Sequence, residues 1–326
     1  MGSEKKISVV MCTYNGERFL REQLDSILNQ TLLPVEIIVQ DDGSTDSTYE
    51  ILIEYAAKSS LIKPFKNDGV HGINSNFFRA MRRASANYIA LCDQDDVWDV
   101  DKLLLQAESI GDKMLCSGFS VPFSTEGYPV SYDHRRPNYH ILRVAYLGAL
   151  HGHTFLIKKE LLNYLPDGEH CPYLYDWQLQ LVAAAAESIV FVDRTLVHFR
   201  RYEGAATANL PVDNRLVSRS TRQYITTTLF HHRELQAAVR ERFAKILTLL
   251  DSLPFQTQAM KECREMALLQ LHQGLRAYCK RTFFFVCQRR HLFYAADNRP
   301  ILLWLRALYF AFSCGYYYRY VLKQKK

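Results

Sequence analysis

The chain has 326 residues, of which 48% are hydrophobic, 13% aromatic and 23% charged, with 14 glycines and 10 prolines. This balance is typical of a globular protein and excludes disordered, collagen-like and low-complexity chains. The net charge of +6 conceals a division: residues 1–230 carry 23 basic and 28 acidic side chains, whereas residues 231–326 carry 17 basic and 6 acidic ones. This division predicts that the acidic N-terminal part uses a cation and that the basic C-terminal part binds an anionic partner. The alternative is that the basic side chains of the C-terminal part form a solvated surface.

Strand and helix patterns alternate along the first hundred residues. Short apolar runs predict buried strands at residues 7–12, 35–40, 61–65 and 88–92. Helical spacing predicts helices at residues 19–28 and 75–86, and a capping box of Ser47 and Glu50 predicts a third helix as far as about Ala57. Alternating units of this kind predict an α/β fold, with a mostly parallel sheet covered by helices on both faces.

The most polar clusters of this region each follow a predicted strand directly. They are residues 13–17, 41–43 and 93–96. In open α/β sheets, ligands bind outside the carboxyl ends of the strands. We therefore expect the three clusters to meet at one edge of the sheet.

The second half of the chain divides into a looser mixed region and a helical region. Strands are predicted at residues 114–119, 154–157 and 189–192, and a helix at residues 177–186. Residues 215–282 are helical in pattern, and Pro254 is expected to separate two helices. We predict an α/β domain over residues 1–210 and a helical C-terminal region over residues 211–326.

The final aromatic and aliphatic stretch, residues 301–322, contains Arg306 and Arg319. Two arginines argue against a spanning helix and favour a helix that lies on an anionic membrane surface, with an ordinary packing helix as the alternative. The eight cysteines form no C-x-x-C pair, and no signal peptide precedes the first strand. We therefore expect reduced thiols in a cytoplasmic protein that is peripheral on the cytoplasmic face of the inner membrane.

Two acidic motifs carry the predicted chemistry. The carboxylates of Asp93 and Asp95 follow a buried strand and suit Mg²⁺ or Mn²⁺ bound to a diphosphate, although a capping role at the next helix is the alternative. Asp41-Asp42-Gly43-Ser44 follows the second predicted strand, where one of its carboxylates can accept the N3–H of a pyrimidine base, with ordinary turn chemistry as the alternative. The chain has neither a dinucleotide fingerprint nor a P-loop, so we expect a cation and side chains to neutralise the charge of a bound phosphate.

Taken in order, three segments resemble the signatures of glycosyltransferase family 2 and its GT-A fold. They are residues 8–16, residues 42–46, and the Asp-Gln-Asp-Asp-Val-Trp sequence at residues 93–98. The third segment is similar to that of bacterial rhamnosyltransferase-like members, which build O-antigen and capsule. The resemblance covers residues 7–105 well and residues 145–207 loosely.

The resemblance implies a role for each of the following residues. The nucleotide pocket maps to Thr13, Tyr14, Asn15, Glu17, Asp42 and Asp93, with Asn76 and Arg79 near the donor; the metal ligands are Asp93 and Asp95. Asp176 maps to the general base that opens a helix, or it caps that helix. Tyr202 stands where the family often has a histidine, so Arg200, Arg201 and His153 become candidates for contact with the diphosphate or the acceptor.

The predicted function is an inverting, metal-dependent glycosyltransferase. It moves a sugar from a nucleotide-diphospho-sugar, either dTDP-rhamnose or a UDP-hexose, to a hydroxyl of a lipid-linked or oligosaccharide acceptor. A nucleotidyltransferase and a catalytically inert membrane-surface scaffold are the alternatives. No nucleic-acid recognition module is present in the sequence, so no nucleic-acid partner is expected.

Overall fold

The computed structural model describes residues 5–128, 130, 132, 134–146, 148–165, 174–203, 230, 232–293 and 300–313. The chain forms two compact units. The first comprises Met1–Tyr132, Leu150–Ala183 and Ser188–Leu210, and the second comprises Asp133–Ala149, Ala184–Glu187 and Pro211–Lys326. Each unit is described separately below.

The first unit is built on an eight-stranded sheet in the order β3-β2-β1-β4-β7-β6-β8-β5. The strands are β1 Ile7–Thr13, β2 Glu36–Asp41, β3 Ile62–Lys66, β4 Tyr88–Cys92, β5 Val97–Trp98, β6 Leu115–Phe123, β7 Leu156–Lys158 and β8 Ile189–Arg200. Strands β1 to β4 pair in parallel, as do β6 and β8, whereas β7 and β5 pair antiparallel with their neighbours. The predicted mixed, mostly parallel α/β fold is confirmed.

Helices accompany this sheet: α1 Leu20–Leu28, α2 Thr48–Lys58, α3 Ile73–Arg83, α4 Lys102–Ser109 and α6 Tyr175–Ala185. Burial of apolar side chains between the sheet and its helices stabilises both kinds of element. Val9, Val10 and Met11 of β1 are all fully buried, because successive side chains point to opposite faces and both faces are covered. Each such buried side chain contributes about 1.5–3 kcal/mol of transfer free energy.

Two local sequence predictions differ from the structure. Ser47 makes no side-chain capping bond at α2. Instead, Asp46 Oδ1 accepts hydrogen bonds from the Thr48 amide (3.0 Å) and hydroxyl (2.5 Å). Thr154, predicted to begin a strand, ends the 3-10 turn Gly152–Thr154, because its amide and hydroxyl both donate to the carbonyl of His151.

The second unit is helical where it is described. Its helices are α5 Ile141–Tyr146, α7 His232–Ser252, α8 Gln258–Leu271, α9 Leu275–Cys287, α10 Arg289–Leu292 and α11 Pro300–Ser313. Pro254 lies between α7 and α8. The ring of Tyr146 packs edge-on against Phe243, Phe285 and Phe310, with centroids 4.9, 6.1 and 4.8 Å away.

The C-terminal helix presents an apolar face to solvent. Ile301, Trp304, Leu305 and Leu308 of α11 are between 45% and 74% exposed and recur at helical spacing. The rest of the predicted C-terminal helix, residues 314–322, lies outside the described residues. Across the described ranges, every helix is too short or too polar to cross a bilayer.

The cysteines that the structure describes are all free thiols: Cys12, Cys92, Cys116, Cys263, Cys279 and Cys287. Cys171 and Cys314 lie outside the described residues.

Lys102, at the start of α4, is fully buried in the first unit. Its ammonium donates to Gln106 Oε1 at 2.9 Å and lies 3.9 Å from the centre of the Trp98 ring. Burial removes the charge from water and lowers the pKa of this amine to about 7.

We expect the chain to gain stability relative to a Lys102→Met variant as the pH rises from about 7 to 9. Between the folded pKa of about 7 and the unfolded pKa near 10.4, the unfolded state holds a proton that the folded state has lost, so raising the pH favours folding. Urea denaturation at several pH values measures the difference in unfolding free energy.

A Lys58→Met variant, which removes an exposed amine, is the control and should show no such trend. A Lys102→Met difference that stays constant or shrinks with pH would contradict the assignment.

Candidate active site

The loops after β1 and β2 are tied together by polar side chains. Asn15, in a left-handed conformation with φ of 47°, accepts the Thr45 amide at 2.8 Å, and its own amide donates to Ser44 Oγ at 2.9 Å. Glu17 Oε2 accepts the Ser47 amide at 2.8 Å. Both predicted nucleotide-binding residues therefore brace the two loops against each other.

Asp42 is oriented from three sides. Its Oδ1 accepts the side-chain amide of Asn67 at 2.6 Å, its Oδ2 accepts the Gly72 amide at 2.8 Å, and His71 Nδ1 lies 3.2 Å from Oδ1. Its own amide donates to the Thr13 carbonyl at 2.8 Å. The buried Thr13 hydroxyl donates to Asp41 Oδ1 at 2.9 Å, so Thr13 joins the carboxyl ends of β1 and β2 within the fold.

The exposed Tyr14 ring stands on the same edge, because the acidic loop holds its peptide in place. Gln94 Oε1 accepts the Tyr14 amide at 2.8 Å, and Gln94 Nε2 donates to the Tyr14 carbonyl at 3.1 Å. The ring itself is 58% exposed. This pair of bonds links the loop after β1 to the loop after β4.

The two weaker nucleotide candidates occupy different environments. Asn76 is buried and donates to the carbonyl of Gln40 at 3.0 Å, so it joins α3 to β2 inside the fold. Arg79 lies over Gly69, and its Nη1 contacts Asp68 Oδ1 at 3.2 Å.

Three aspartates crowd the acidic loop after β4. Asp95 Oδ2 accepts the hydroxyl of Tyr202 at 2.8 Å. Burial and the neighbouring Asp93 charge raise the pKa of Asp95. Burial raises the pKa of Asp96 to about 7, although His153 opposes the shift.

Asp96 is the most deeply enclosed of the three. Its side chain is 4% exposed, and its Oδ1 accepts the Arg200 amide at 3.0 Å. Its Oδ2 is buried and has no hydrogen-bond partner among the described residues. An ionised carboxylate in such a position needs a cation beside it.

His153 lies directly beside the acidic loop. Its Nδ1 is 3.2 Å from Asp93 Oδ2 and 3.5 Å from Asp96 Oδ2, and its Nε2 is 2.7 Å from Ser120 Oγ. Burial lowers the pKa of His153, but the carboxylates of Asp96, Asp93 and Asp95 outweigh that effect and raise it. The sequence candidate for diphosphate or acceptor contact thus sits against two carboxylates.

Asp176 lies in the first turn of α6. Its Oδ1 accepts the Trp177 amide at 2.7 Å, and the Gly152 amide also donates to its carboxylate. Burial raises the pKa of Asp176 to about 6. Ring stacking of Tyr175 on Phe77, with centroids 3.9 Å apart, holds this end of α6 against α3.

Gly152 precedes His153 in the 3-10 turn, and its lack of a side chain allows this turn to approach α6 closely. A Cβ at this position would lie 2.6 Å from Tyr175 Oη and 2.9 Å from Asp176 Cβ. Since neither distance is tolerated by real side chains, only glycine fits here.

Arg200 and Arg201 are both buried. The Arg200 guanidinium bonds Glu22 Oε2 at 2.5 Å and the Asp95 carbonyl at 3.0 Å, and it lies between the rings of Phe19 and Phe123. Arg201 lies 5.7 Å from the centre of the Tyr128 ring. Arg200 therefore supports the acidic loop from behind, and a diphosphate would have to compete with Glu22 for it.

The site contains a donor set that fits a divalent cation. One oxygen each of Asp93 and Asp96 and one nitrogen of His153 lie within 4.8 Å of one another. Carboxylate oxygens and an imidazole nitrogen are common ligands of Mn²⁺ and related cations, and the unpartnered Asp96 Oδ2 adds to the fit. The role of Asp95 as a metal ligand stays a prediction.

Several contributors to the site carried no recognisable signal in the sequence. Ser120, Gly152 and Glu22 stand far from the acidic motif in the chain and reach it only through the fold. Gln94 and Asp96 lie within the quoted motif, but their partners could not be read from it.

Residues 8–165 match the model of the family described as Glycosyl transferase family 2. An uncharacterised protein of Mycobacterium tuberculosis is 28% identical over 262 residues, which are 76% of each chain. The UDP-Glc:alpha-D-GlcNAc-diphosphoundecaprenol beta-1,3-glucosyltransferase of Escherichia coli is 34% identical over 100 residues, which are 31% of this chain and 39% of the relative.

Among solved structures, TarS 1-349 of S. aureus in complex with UDP-GlcNAc superposes with a TM-score of 0.58 at 18% identity, covering 98% of this chain and 91% of TarS 1-349. This likeness supports the GT-A fold.

We expect Gly152→Ala to lower the free energy of unfolding by about 1–3 kcal/mol, because the new methyl group overpacks the contact with α6. Adding Tyr175→Phe removes the hydroxyl that the methyl meets first and should recover part of this loss. Urea denaturation of both single variants and the double variant gives the coupling between the two positions. Strictly additive losses would contradict this account of the contact.

Proposed function

We propose that this glycosyltransferase moves a sugar from a nucleotide-diphospho-sugar to an acceptor hydroxyl, with inversion and with the help of a divalent cation. Its residues 8–165 match the glycosyl transferase family 2 model. One observation carries the proposal. The acidic loop, His153 and the helix turn with Asp176 meet beside the braced loops after β1 and β2. A donor held by those loops would have its diphosphate at the acidic loop.

A pyrimidine nucleotide suits the predicted donor pocket. Asp42 is a fixed acceptor for a base N3–H, and the exposed ring of Tyr14 offers a stacking surface. Solved TarS binds UDP-GlcNAc, which supports the same base class here. Both dTDP-rhamnose and UDP-hexoses satisfy these contacts.

A cation held by Asp93 and its neighbours would act as a Lewis acid on the departing diphosphate. The chain's own part is to keep the carboxylates of the acidic loop together despite their repulsion. Tyr202 donates to Asp95, and the Arg200 amide donates to Asp96. These bonds hold the carboxylates of the acidic loop in place before any donor arrives.

Asp176 is the proposed general base. With a pKa near 6, its carboxylate is ionised at neutral pH and is more basic than an ordinary aspartate. It would take the proton of the acceptor hydroxyl as that oxygen attacks the anomeric carbon from the face opposite the nucleotide. The amides of Gly152 and Trp177 orient it for this step.

A lipid-linked saccharide is the proposed acceptor. The E. coli relative is named for a diphosphoundecaprenol-linked acceptor. In the second unit, the exposed face of α11 and the nearby basic side chains suit an anionic membrane surface: Arg289 lies 4.7 Å from the centre of the Trp304 ring, and Arg276 and Lys280 of α9 are exposed. We therefore propose peripheral attachment at the cytoplasmic face of the inner membrane.

We expect the purified chain, with Mn²⁺ or Mg²⁺, to release free nucleoside diphosphate from one of a panel of dTDP-, UDP- and GDP-sugars. Asp176→Asn should lower this turnover by about 10²- to 10⁴-fold, because the base is lost, while thermal stabilisation by the donor remains. In the native chain the rate should rise with pH through about 6 and then level off, since only the ionised carboxylate accepts a proton.

Asp193→Asn, at an exposed position of β8, is the matched control and should retain full turnover. Release of pyrophosphate instead of nucleoside diphosphate would replace the proposal by nucleotidyl transfer. Donor binding without any turnover would favour the inert scaffold.

We expect the chain to sediment with phosphatidylglycerol vesicles and not with pure phosphatidylcholine vesicles. A Trp304→Ser and Leu308→Gln double variant should remain in the supernatant, because it removes the apolar contacts of α11. Ile53→Gln on α2, at an aliphatic side chain of similar exposure, is the control and should sediment like the native chain. Sedimentation of the double variant at the native level would refute membrane contact through α11.

A further inference from the structure

We propose that His153, through Nδ1, is a protein ligand of the active-site cation together with Asp93 and Asp96, and that Ser120 is its positioning residue. The inference rests on the proposed function, because it concerns the cation of that same site. Its consequence is a preference of the site for Mn²⁺ over Mg²⁺.

The first argument is distance. A Mn²⁺-sized cation lies about 2.1 Å from its ligands, so that neighbouring ligands of an octahedral ion stand about 3 Å apart. His153 Nδ1 stands 3.2 Å from Asp93 Oδ2 and 3.5 Å from Asp96 Oδ2. Two of the three separations are therefore already close to the spacing of adjacent ligands, and all three donor atoms lie within 4.8 Å of one another.

The second argument is the unsatisfied oxygen of Asp96. Its side chain is 4% exposed, so water does not solvate it. Its Oδ1 accepts the Arg200 amide, whereas its Oδ2 has no hydrogen-bond partner in the described part of the chain and faces His153 Nδ1. A cation between Asp96 and His153 would supply the partner that Asp96 Oδ2 lacks.

The third argument concerns the tautomer of His153. A neutral imidazole ligates through one nitrogen and carries its proton on the other. Ser120 Oγ lies 2.7 Å from Nε2 and can accept an Nε2–H, which leaves the Nδ1 lone pair directed at the carboxylates. A partner of this kind on the far nitrogen is the usual way in which proteins orient a histidine ligand.

Asp95 is held differently from the other two aspartates. Its Oδ2 accepts the Tyr202 hydroxyl at 2.8 Å, and its carbonyl accepts from Arg200. The carboxylates that converge on His153 are therefore Asp93 and Asp96, so that the assigned set differs from the Asp93 and Asp95 pair implied by the resemblance.

The ligand set determines which cation is favoured. Mg²⁺ prefers oxygen ligands in near-ideal octahedral geometry, whereas Mn²⁺ accepts an imidazole nitrogen beside carboxylates. One nitrogen among three protein ligands should therefore favour Mn²⁺.

The test is pulsed electron paramagnetic resonance of Mn²⁺ bound to the full chain, with affinities from titration of the free Mn²⁺ signal and Mg²⁺ measured by competition. We expect nitrogen hyperfine coupling in the native chain and its loss in His153→Ala. Ser120→Ala should keep the coupling but weaken Mn²⁺ binding by about 10- to 100-fold. In His153→Ala the preference for Mn²⁺ over Mg²⁺ should shrink.

His151→Ala is the matched control, because its ring is parallel to that of His153 with centroids 5.4 Å apart, and no described hydrogen bond or ion pair joins that ring to the acidic loop. It should leave both the coupling and the affinity unchanged. Tight Mn²⁺ binding without nitrogen coupling, or a native Mn²⁺ preference in His153→Ala, would overturn the ligand assignment and leave metal-dependent transfer intact. A native chain that binds no divalent cation, with or without the donor, would overturn the cation dependence itself.

Discussion

Repulsion among three carboxylates on one partly buried loop is the constraint on which the candidate active site depends. Asp93, Asp95 and Asp96 follow β4 within four residues, and burial weakens the screening between them. Groups from distant parts of the chain contact these carboxylates. They are the imidazole of His153 from a 3-10 turn, the hydroxyl of Tyr202 after β8 and the backbone amide of Arg200 at the end of β8. Much of the architecture around the loop serves to deliver these partners.

The turn that carries His153 to the acidic loop also contacts Asp176. Gly152 brings its turn against α6, so that one backbone segment carries His153 towards the acidic loop and an amide towards Asp176. The proposed base and the proposed cation-binding groups are thus positioned by a single close approach. An error in that contact would displace both groups together.

Chain order and hydrophobic period predicted much of the first unit. The apolar runs near residues 7–12 and 88–92 became β1 and β4, and the polar clusters that follow them lie on one edge, because carboxyl ends of parallel strands share that edge. Ser120 could not be placed from the sequence, since it meets His153 only because the fold brings β6 beside the turn that precedes β7. Tyr202 stood out only as the replacement of a histidine, and its bond to Asp95 could not be predicted. The predicted capping box of Ser47 and Glu50 did not form, and the Ser47 amide that Glu50 would have bonded donates to Glu17 Oε2 instead.

Strand β7 has a consequence for how the protein is made. It joins β4 to β6 and is the only link, among the described strands, between the parallel half of the sheet and the β6, β8 and β5 half. Until the ribosome has released residue 158, the backbone of β4 that pairs with β7 has no partner on that side, and an unpaired strand edge of this kind can recruit other chains. We therefore expect a nascent chain that has not yet presented β7 to carry a strand edge that favours aggregation.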